Sequence, residues 1–433
     1  MTAQEPARSH ADPPLVPVEQ HLADILAAIR PVEPVWVPLA GANGSVLAEP
    51  VTASTPLPSF DNSAMDGYAV RAADVAGASD ETPVTLPVCG EIAAGDTGDY
   101  RLEPGSALQI MTGARLPEGA DAVVPVEWTD GGTGSGAGAA PEASTASEAS
   151  PAEVVIRRAP ELDHAVRHRG DDVAEGTVLL PGGTLIGPVQ LALLAASGQG
   201  EVLARTPPRV AVISTGNELV EPGTPLIPGQ IWESNSFMLA GAAQRAGAIV
   251  RRHRLRDDPA VVLSTLEGLL SDADLLITSG GVSMGGEHDV VKAALSTLGT
   301  ITFRKVAMQP GMPQGFGTLG PGRTPIFTLP GNPVSAYVSF VLFVQPALDA
   351  LKNYSPQRKP LVQAALTMSV RSPRGRRSYL RGVLDDAQET IVPLTGQSSH
   401  QLGALAQANA LILVPEDVTE MAAGDGVDVM CLP

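Results

Sequence analysis

The chain has 433 residues but only two cysteines, Cys89 and Cys431, too few and too far apart for a disulfide framework, a CxxC pair or a zinc pattern. Its seven histidines are scattered and form no HExxH, which argues against soft-metal chemistry. That cysteine usage suits a reducing, cytoplasmic setting. Aromatic residues are only 3%, so the cores must be built from Val, Leu, Ala and Ile. A surplus of basic charge is also missing. The net charge of −19 opposes a nucleic-acid surface or an anionic membrane as partner. No apolar run reads as long and pure enough to cross a bilayer. Met1 to Pro14 has no apolar core of a signal peptide and reads as a disordered tail.

With 44% hydrophobic and 17% charged residues, the chain reads as globular, and its length allows two to four domains. Phe60 to Arg71 is the densest chemistry: Asp61, Asn62, Ser63, Asp66 and Gly67 sit among Phe60, Met65 and Tyr68. Polar heads in an apolar frame are how a loop becomes a preorganised site.

Val18, Leu22, Ile25, Leu26 and Ile29 recur at helical spacing, predicting a helix over 18–30 that Pro31 and Pro34 end. Residues 45–130 read as short strands broken by Gly and Pro. Gly131 to Glu153 is low in complexity, the composition of a dispensable loop. A short helix is expected over 188–198. From Arg209 apolar strand runs alternate with helices at 235–246, 259–271 and 289–298, and a long helix runs from Pro333 to about Leu351. That alternation means a mostly parallel sheet with helices on both faces, a three-layer α/β domain whose ligands bind at the strand carboxyl ends. After Pro356 strands are expected near 361–370, 379–385 and 410–414.

Three polar loops fall at those strand ends. Ser279-Gly280-Gly281-Val282-Ser283 can bring backbone amides to an anion, or be an ordinary glycine turn. Ser214-Thr215-Gly216-Asn217-Glu218 carries a carboxylate into the crevice. Pro330-Gly331-Asn332-Pro333-Val334-Ser335 presents a helix N-terminus fixed by two prolines. Asp257-Asp258 and Asp289 precede or open helices, where capping is the plainer role. Carboxylates without Cys or His suit Mg²⁺, which would let an acidic protein take an anionic nucleotide-like substrate. Arg371, Arg374, Arg376, Arg377 and Arg381 fall within eleven positions, as a solvated basic loop or an anion site.

Together these residues resemble the molybdopterin molybdenumtransferase family, which includes bacterial MoeA and the E domain of gephyrin-type proteins. The likeness is carried by Asp61 to Arg71, Ile110-Met111-Thr112-Gly113-Ala114, Arg169-Gly170-Asp171-Asp172, Ser214 to Leu219, Ser279 to Ser283 and Leu329 to Ala336, in family order. It implies insertion of molybdate into the dithiolene of adenylylated molybdopterin, with Mg²⁺ present and AMP released. It implies a cytoplasmic homodimer, with the molybdopterin adenylyltransferase and apo-molybdoenzymes as partners. Its site would lie between the α/β domain of one subunit and the β-rich module of the other. The fold implied is multidomain α/β plus β. An extended dimerisation domain (15–50 and 163–204) holds an inserted β-rich domain (51–162, with the low-complexity loop at 131–153). A molybdopterin-binding α/β domain (205–352) and a small C-terminal β domain (353–433) follow.

By the same resemblance Asp66, Asp172, Glu218, Asp257, Asp289 and Thr112 are the catalytic positions, with Glu218, Asp257 and Asp289 as Mg²⁺ ligands. Ser279, Gly280, Gly281, Ser283, Pro330, Gly331, Asn332, Pro333 and Ser335 are the substrate loops. Lys305, Pro313, Arg381 and Ser399 are placed near molybdate. Two departures stand out. The family's Lys-Pro-Gly-Lys-Pro loop reads Gln309-Pro310-Gly311-Met312-Pro313, and the segment from Ser283 to Asp289 is one residue longer. The missing lysines leave a non-catalytic scaffold paralogue, or one that prefers tungstate, as alternatives.

Overall fold

The computed structural model describes residues 14–131, 152–280, 295, 299–355, 361–385 and 387–432. All but the last residue of the predicted tail, most of the low-complexity loop, all of the expected helix 289–298 except Leu295, and Gly281 and Ser283 lie outside the described residues, and so does Asp289. The chain divides into two compact units. One comprises Pro50–Gly182 and Pro188–Val202; the other comprises Met1–Glu49, Gly183–Gly187 and Leu203–Pro433.

The smaller unit is built on a five-stranded sheet ordered Ala122–Pro125, Gly67–Val70, Ala107–Ile110, Val84–Ile92, Glu153–Ile156. Every residue of Gly67–Val70 is buried, and its side chains alternate between two cores. Tyr68 and Val70 pack with Val124 and Ile156 on one face; Ala69 packs with Ile110 and Val123 on the other. Gly67 has no room for a side chain: a Cβ would stand 2.1 Å from the Val124 carbonyl oxygen. The short helix Pro188–Ala196 ends two residues before Gly198, which takes φ +80° and terminates it.

The larger unit holds the α/β domain. Its elements are β1 (Arg209–Thr215), α1 (Asn235–Arg245), β2 (Ile249–Leu255), α2 (Pro259–Leu269), β3 (Leu275–Ser279), β4 (Gly299–Lys305), β5 (Pro313–Leu319), β6 (Thr324–Leu329) and a long helix from Pro333 to Leu351. The sheet order is β2-β1-β3-β6-β5-β4. The first four strands are parallel, and β5 runs antiparallel to both its neighbours. Alternation sorts the side chains: Val210, Val212, Leu275, Ile277, Phe327 and Leu329 face α1, the long helix and the helix Val18–Ala28. Ala211, Ile213, Leu276 and Ile326 face α2 through Val262 and Leu266. β2 extends well past the apolar pair Ile249-Val250, because an edge strand tolerates charged residues such as Arg251, Arg252 and Arg254.

Contrary to the expectation from sequence, one helix has the length and composition of a bilayer span. The helix Pro333–Leu351 spans 19 residues at a mean hydropathy of 1.5, long and apolar enough to cross a bilayer. It is the core helix instead, with 72% of that stretch buried in the fold.

The C-terminal β domain closes on itself. Strands Arg377–Asp385, Thr390–Pro393, Val362–Leu366, Gly426–Cys431 and Ala410–Val414 pair in that order, and Ala410–Val414 pairs back onto Arg377–Asp385. Leu380, Leu384, Ile391, Ile412, Val427 and Val429 fill its interior. Tyr379 points the other way, into the core of the α/β domain, and Arg381 shares its side of the strand.

Candidate active site

The helix after β1 and the helix before β3 lie on opposite faces of the sheet, so a crevice opens between the carboxyl ends of β1 and β3. A cavity of about 170 Å³ fills it, lined by Ser214, Thr215, Glu218, Trp232, Asn235 and Gly280 among others. Asn235 ties the crevice together: its Nδ2 donates to Ser279 Oγ at 2.8 Å and to the Gly331 carbonyl at 2.6 Å. The carbonyl fixes which end of the amide is the donor. Asn235 Oδ1 and Ser214 Oγ are buried with no hydrogen-bond partner. Gly280 takes φ +94°, and a Cβ on Gly331 would stand 3.7 Å from the Gly280 Cα, so the two predicted loops meet glycine to glycine.

The acidic turn is built in two parts. Asp258 caps α2, accepting from the Ala260 and Val261 amides, so capping is its role. Asp257 instead accepts from the Asn217 amide at 3.1 Å, while its own amide donates to Asn217 Oδ1 at 3.3 Å. Glu218 folds its carboxylate back over Gly216, within 2.7 Å of where a Cβ would stand. The turns that carry Glu218 and Asp257, after β1 and β2, are thus tied together through Asn217. Among the described residues no three His, Cys, Asp or Glu side chains gather as a metal cage.

In the smaller unit, Asp66 Oδ1 accepts from the Thr112 amide at 2.6 Å and from its hydroxyl at 2.8 Å. The amide first, then the hydroxyl, holds this carboxyl below its ordinary pKa. Asp61 accepts from the Arg169 amide at 2.7 Å and faces His168, whose other nitrogen lies 3.2 Å from Asp163. Desolvation opposes the His168 charge, but the hydrogen bond to Asp61 and the charges of Asp163, Asp61 and Asp171 outweigh it and raise its pKa. Asp172 is exposed, and its amide donates to the Leu57 carbonyl.

Arg381 is the most unusual residue of the larger unit. It has no exposed surface. Its Nη2 donates to the Gly396 and Ser398 carbonyls, while Nε and Nη1 are buried without partners. Burial pulls its pKa below the ordinary arginine value. Gln397 braces its backbone on both sides, accepting from the Arg381 amide and donating to its carbonyl, each at 2.9 Å. Ser399 follows directly: its Oγ accepts from Asn332 Nδ2 at 3.0 Å, and its carbonyl accepts from the Val334 amide at 3.1 Å. The Pro330–Ser335 loop and the Gly396–Ser399 turn that holds Arg381 are therefore one assembly. Pro333 opens the long helix, and Ser335 is buried within it.

Gln309 pairs with Ser378 on the strand that carries Arg381, and Lys305 pairs with Pro313 across the β4–β5 ladder. Met312 stands where the family pattern has a lysine, and its carbonyl accepts from the Val306 amide. The run of arginines splits up. Arg371 is exposed against Glu420, Arg377 binds Glu19 and Glu416, and only Arg381 is fully buried.

Three participants escaped the sequence reading: Asn235, Trp232 and Gln397. Asn235 reads as a helix start, and its bonds to Ser279 and Gly331 join positions 44 and 96 residues away. Trp232 could have been noticed, as one of only three tryptophans. It lines the crevice half exposed, its indole N–H held by the Thr224 carbonyl at 2.8 Å.

Comparison with known proteins covers nearly the whole chain. Residues 16–198 match the MoeA N-terminal region (domain I and II), 211–350 a probable molybdopterin binding domain, and 363–432 the MoeA C-terminal region (domain IV). Molybdopterin molybdenumtransferase 2 of Mycobacterium tuberculosis is 46% identical, covering 95% of this chain and 98% of the relative. Molybdopterin molybdenumtransferase 1 of the same organism is 39% identical, covering 96% and 98%. A crystal structure of a molybdopterin biosynthesis MoeA protein from Pyrococcus horikoshii superposes with a TM-score of 0.71 at 28% identity, covering 96% of this chain and all of that one.

Proposed function

This chain belongs to the MoeA family and is a molybdenum-inserting transferase of molybdenum cofactor biosynthesis, and we propose that it acts on adenylylated molybdopterin, placing molybdate on the dithiolene and releasing AMP. Arg381 is the observation that carries the chemistry. A guanidinium with two unpaired buried donors and, among the described residues, no carboxylate paired with it is set up for an oxyanion. Each buried donor left unpaired costs about 1–3 kcal/mol, so an incoming oxygen acceptor recovers that loss. Ser399, directly after the Ser398 carbonyl that Arg381 binds, carries a hydroxyl bonded to the Asn332 amide. Lys305, Gln309 and Pro313 belong to the neighbouring segment.

Substrate is held, on this reading, in the crevice of β1 and β3. The indole of Trp232 offers a planar face to the pterin, and Asn235 Oδ1 an unused acceptor for its N–H groups. The loops at Ser279–Gly280 and Pro330–Ser335 bind the phosphate through amides and a helix N-terminus. Mg²⁺ fits a donor set of one or two carboxylates, since it keeps its waters and bridges to substrate phosphates. Glu218 and Asp257, with Asp289, would hold it, and it would neutralise phosphate charge. Asp66 with Thr112, and Asp172, serve the same reaction from the smaller unit. We place the enzyme in the cytoplasm as a homodimer that receives substrate from the adenylyltransferase and passes product to apo-molybdoenzymes.

Purified protein given adenylylated molybdopterin and Mg²⁺ is expected to release AMP faster when molybdate is added. AMP release indifferent to saturating molybdate would sink the reading. A parallel arm with tungstate reports whether Gln309 and Met312 have shifted the preferred oxyanion.

A further inference from the structure

A second cavity, of about 170 Å³, lies between the helix Val18–Ala28 and strands β4 and β5, away from the crevice at the carboxyl ends of β1 and β3. Its wall is aromatic and small: the His21 ring, Phe316, Ala28 and Gly317. Its polar groups are Arg304, Arg323, Asp24, Thr302 and Thr318. His21 is 3% exposed, its Nδ1 has no hydrogen-bond partner, and its ring stands edge-on to Phe343 at 4.8 Å. Burial, reinforced by the Arg304 charge, keeps that imidazole neutral near pH 7, with a pKa of about 4. Arg304 binds Asp24, which also accepts from Gln20 at 2.7 Å, so that pair is electrically closed. Arg323 is different. It sits on the turn after β5 at φ +54°, exposed, and among the described residues no carboxylate pairs with it.

We propose that this cavity binds a small planar organic acid, its carboxylate on the Arg323 guanidinium and its ring against His21 and Phe316. The charges facing the cavity are two arginines and one aspartate, a net of +1 in a protein of net charge −19, which sets this spot apart for an anion. An inorganic oxyanion would satisfy Arg323 but leave the aromatic wall uncovered. An uncharged arene would cover the wall but leave the guanidinium unpaired.

Saturation-transfer NMR with benzoate tests this on the full-length protein, with acetate and inorganic phosphate as comparison probes. Benzoate is expected to bind in the millimolar range, and acetate and phosphate at least tenfold more weakly. Arg323→Gly removes the guanidinium and suits the left-handed backbone, so the fold is kept while benzoate affinity falls about tenfold. Ala28→Phe fills the cavity and should abolish the signal. Saturating molybdate should leave benzoate binding unchanged, which separates this site from Arg381. Absence of benzoate binding, equal binding of phosphate, displacement by molybdate, or full binding in both variants would each overturn the proposal.

Discussion

At the scale of single residues, the proposed function rests on groups that are worse off in the resting protein than they need be. Arg381 is buried with two donors idle, and Asn235 and Ser214 keep buried oxygens unpaired in the crevice. Such groups lower stability until a ligand meets them. The loss of lysines is a residue-scale matter too. Met312→Lys would restore a cation next to Pro313, and about tenfold less molybdate should then half-saturate AMP release. An unchanged half-saturation point would mean Arg381 alone already supplies the charge. Sequence pattern made the carboxylates and glycine loops legible, because local spacing places them at strand ends. Arg381 was indistinguishable from its basic neighbours by pattern, and only the resemblance singled it out. What sets it apart is burial, fixed by its place on the side of the strand that Tyr379 turns toward the α/β domain, and that strand's partners, Thr390–Pro393 and Ala410–Val414, lie further along the chain.

At the scale of elements, alternation carried most of the reading. Apolar runs at Arg209–Thr215 and Leu275–Ser279, and the helix Val18–Ala28, are where the spacing puts them, because each buries one or two faces against a continuous core. In β2 the arginines mask an edge strand, so its apolar pattern stops at Ile249-Val250 while the strand runs to Leu255. The closed C-terminal sheet was not legible either, since closure depends on pairing between strands some 30 residues apart. Gly67 carries an element-scale prediction. Gly67→Ala drives a methyl into the Val124 carbonyl at the start of a fully buried strand. Such overpacking should cost about 3 kcal/mol or more, read as a lower midpoint in denaturant. A midpoint within error of the unmodified protein would mean the strand shifts freely, and Asp66 beside it would lose its rigid support.

At the scale of the whole molecule, acid sensitivity and oxyanion binding are the properties to measure. The pKa of His21 is pushed down to about 4, against about 6.5 in an unfolded chain. A depressed value means the unfolded state takes up the proton first, so stability is full above about pH 6.5 and declines as pH falls toward 4. That shift is worth roughly 3 kcal/mol. In His21→Leu the unfolding free energy should depend less on pH across that window; an identical pH slope would contradict the assignment. Equilibrium dialysis with radiolabelled molybdate asks whether Arg381 holds the oxyanion substrate. Arg381→Met removes the charge and the donors while keeping an unbranched side chain of similar length; with its fold checked by circular dichroism, it should bind molybdate at least a hundredfold more weakly. Undiminished molybdate binding by a folded Arg381→Met protein would contradict the account.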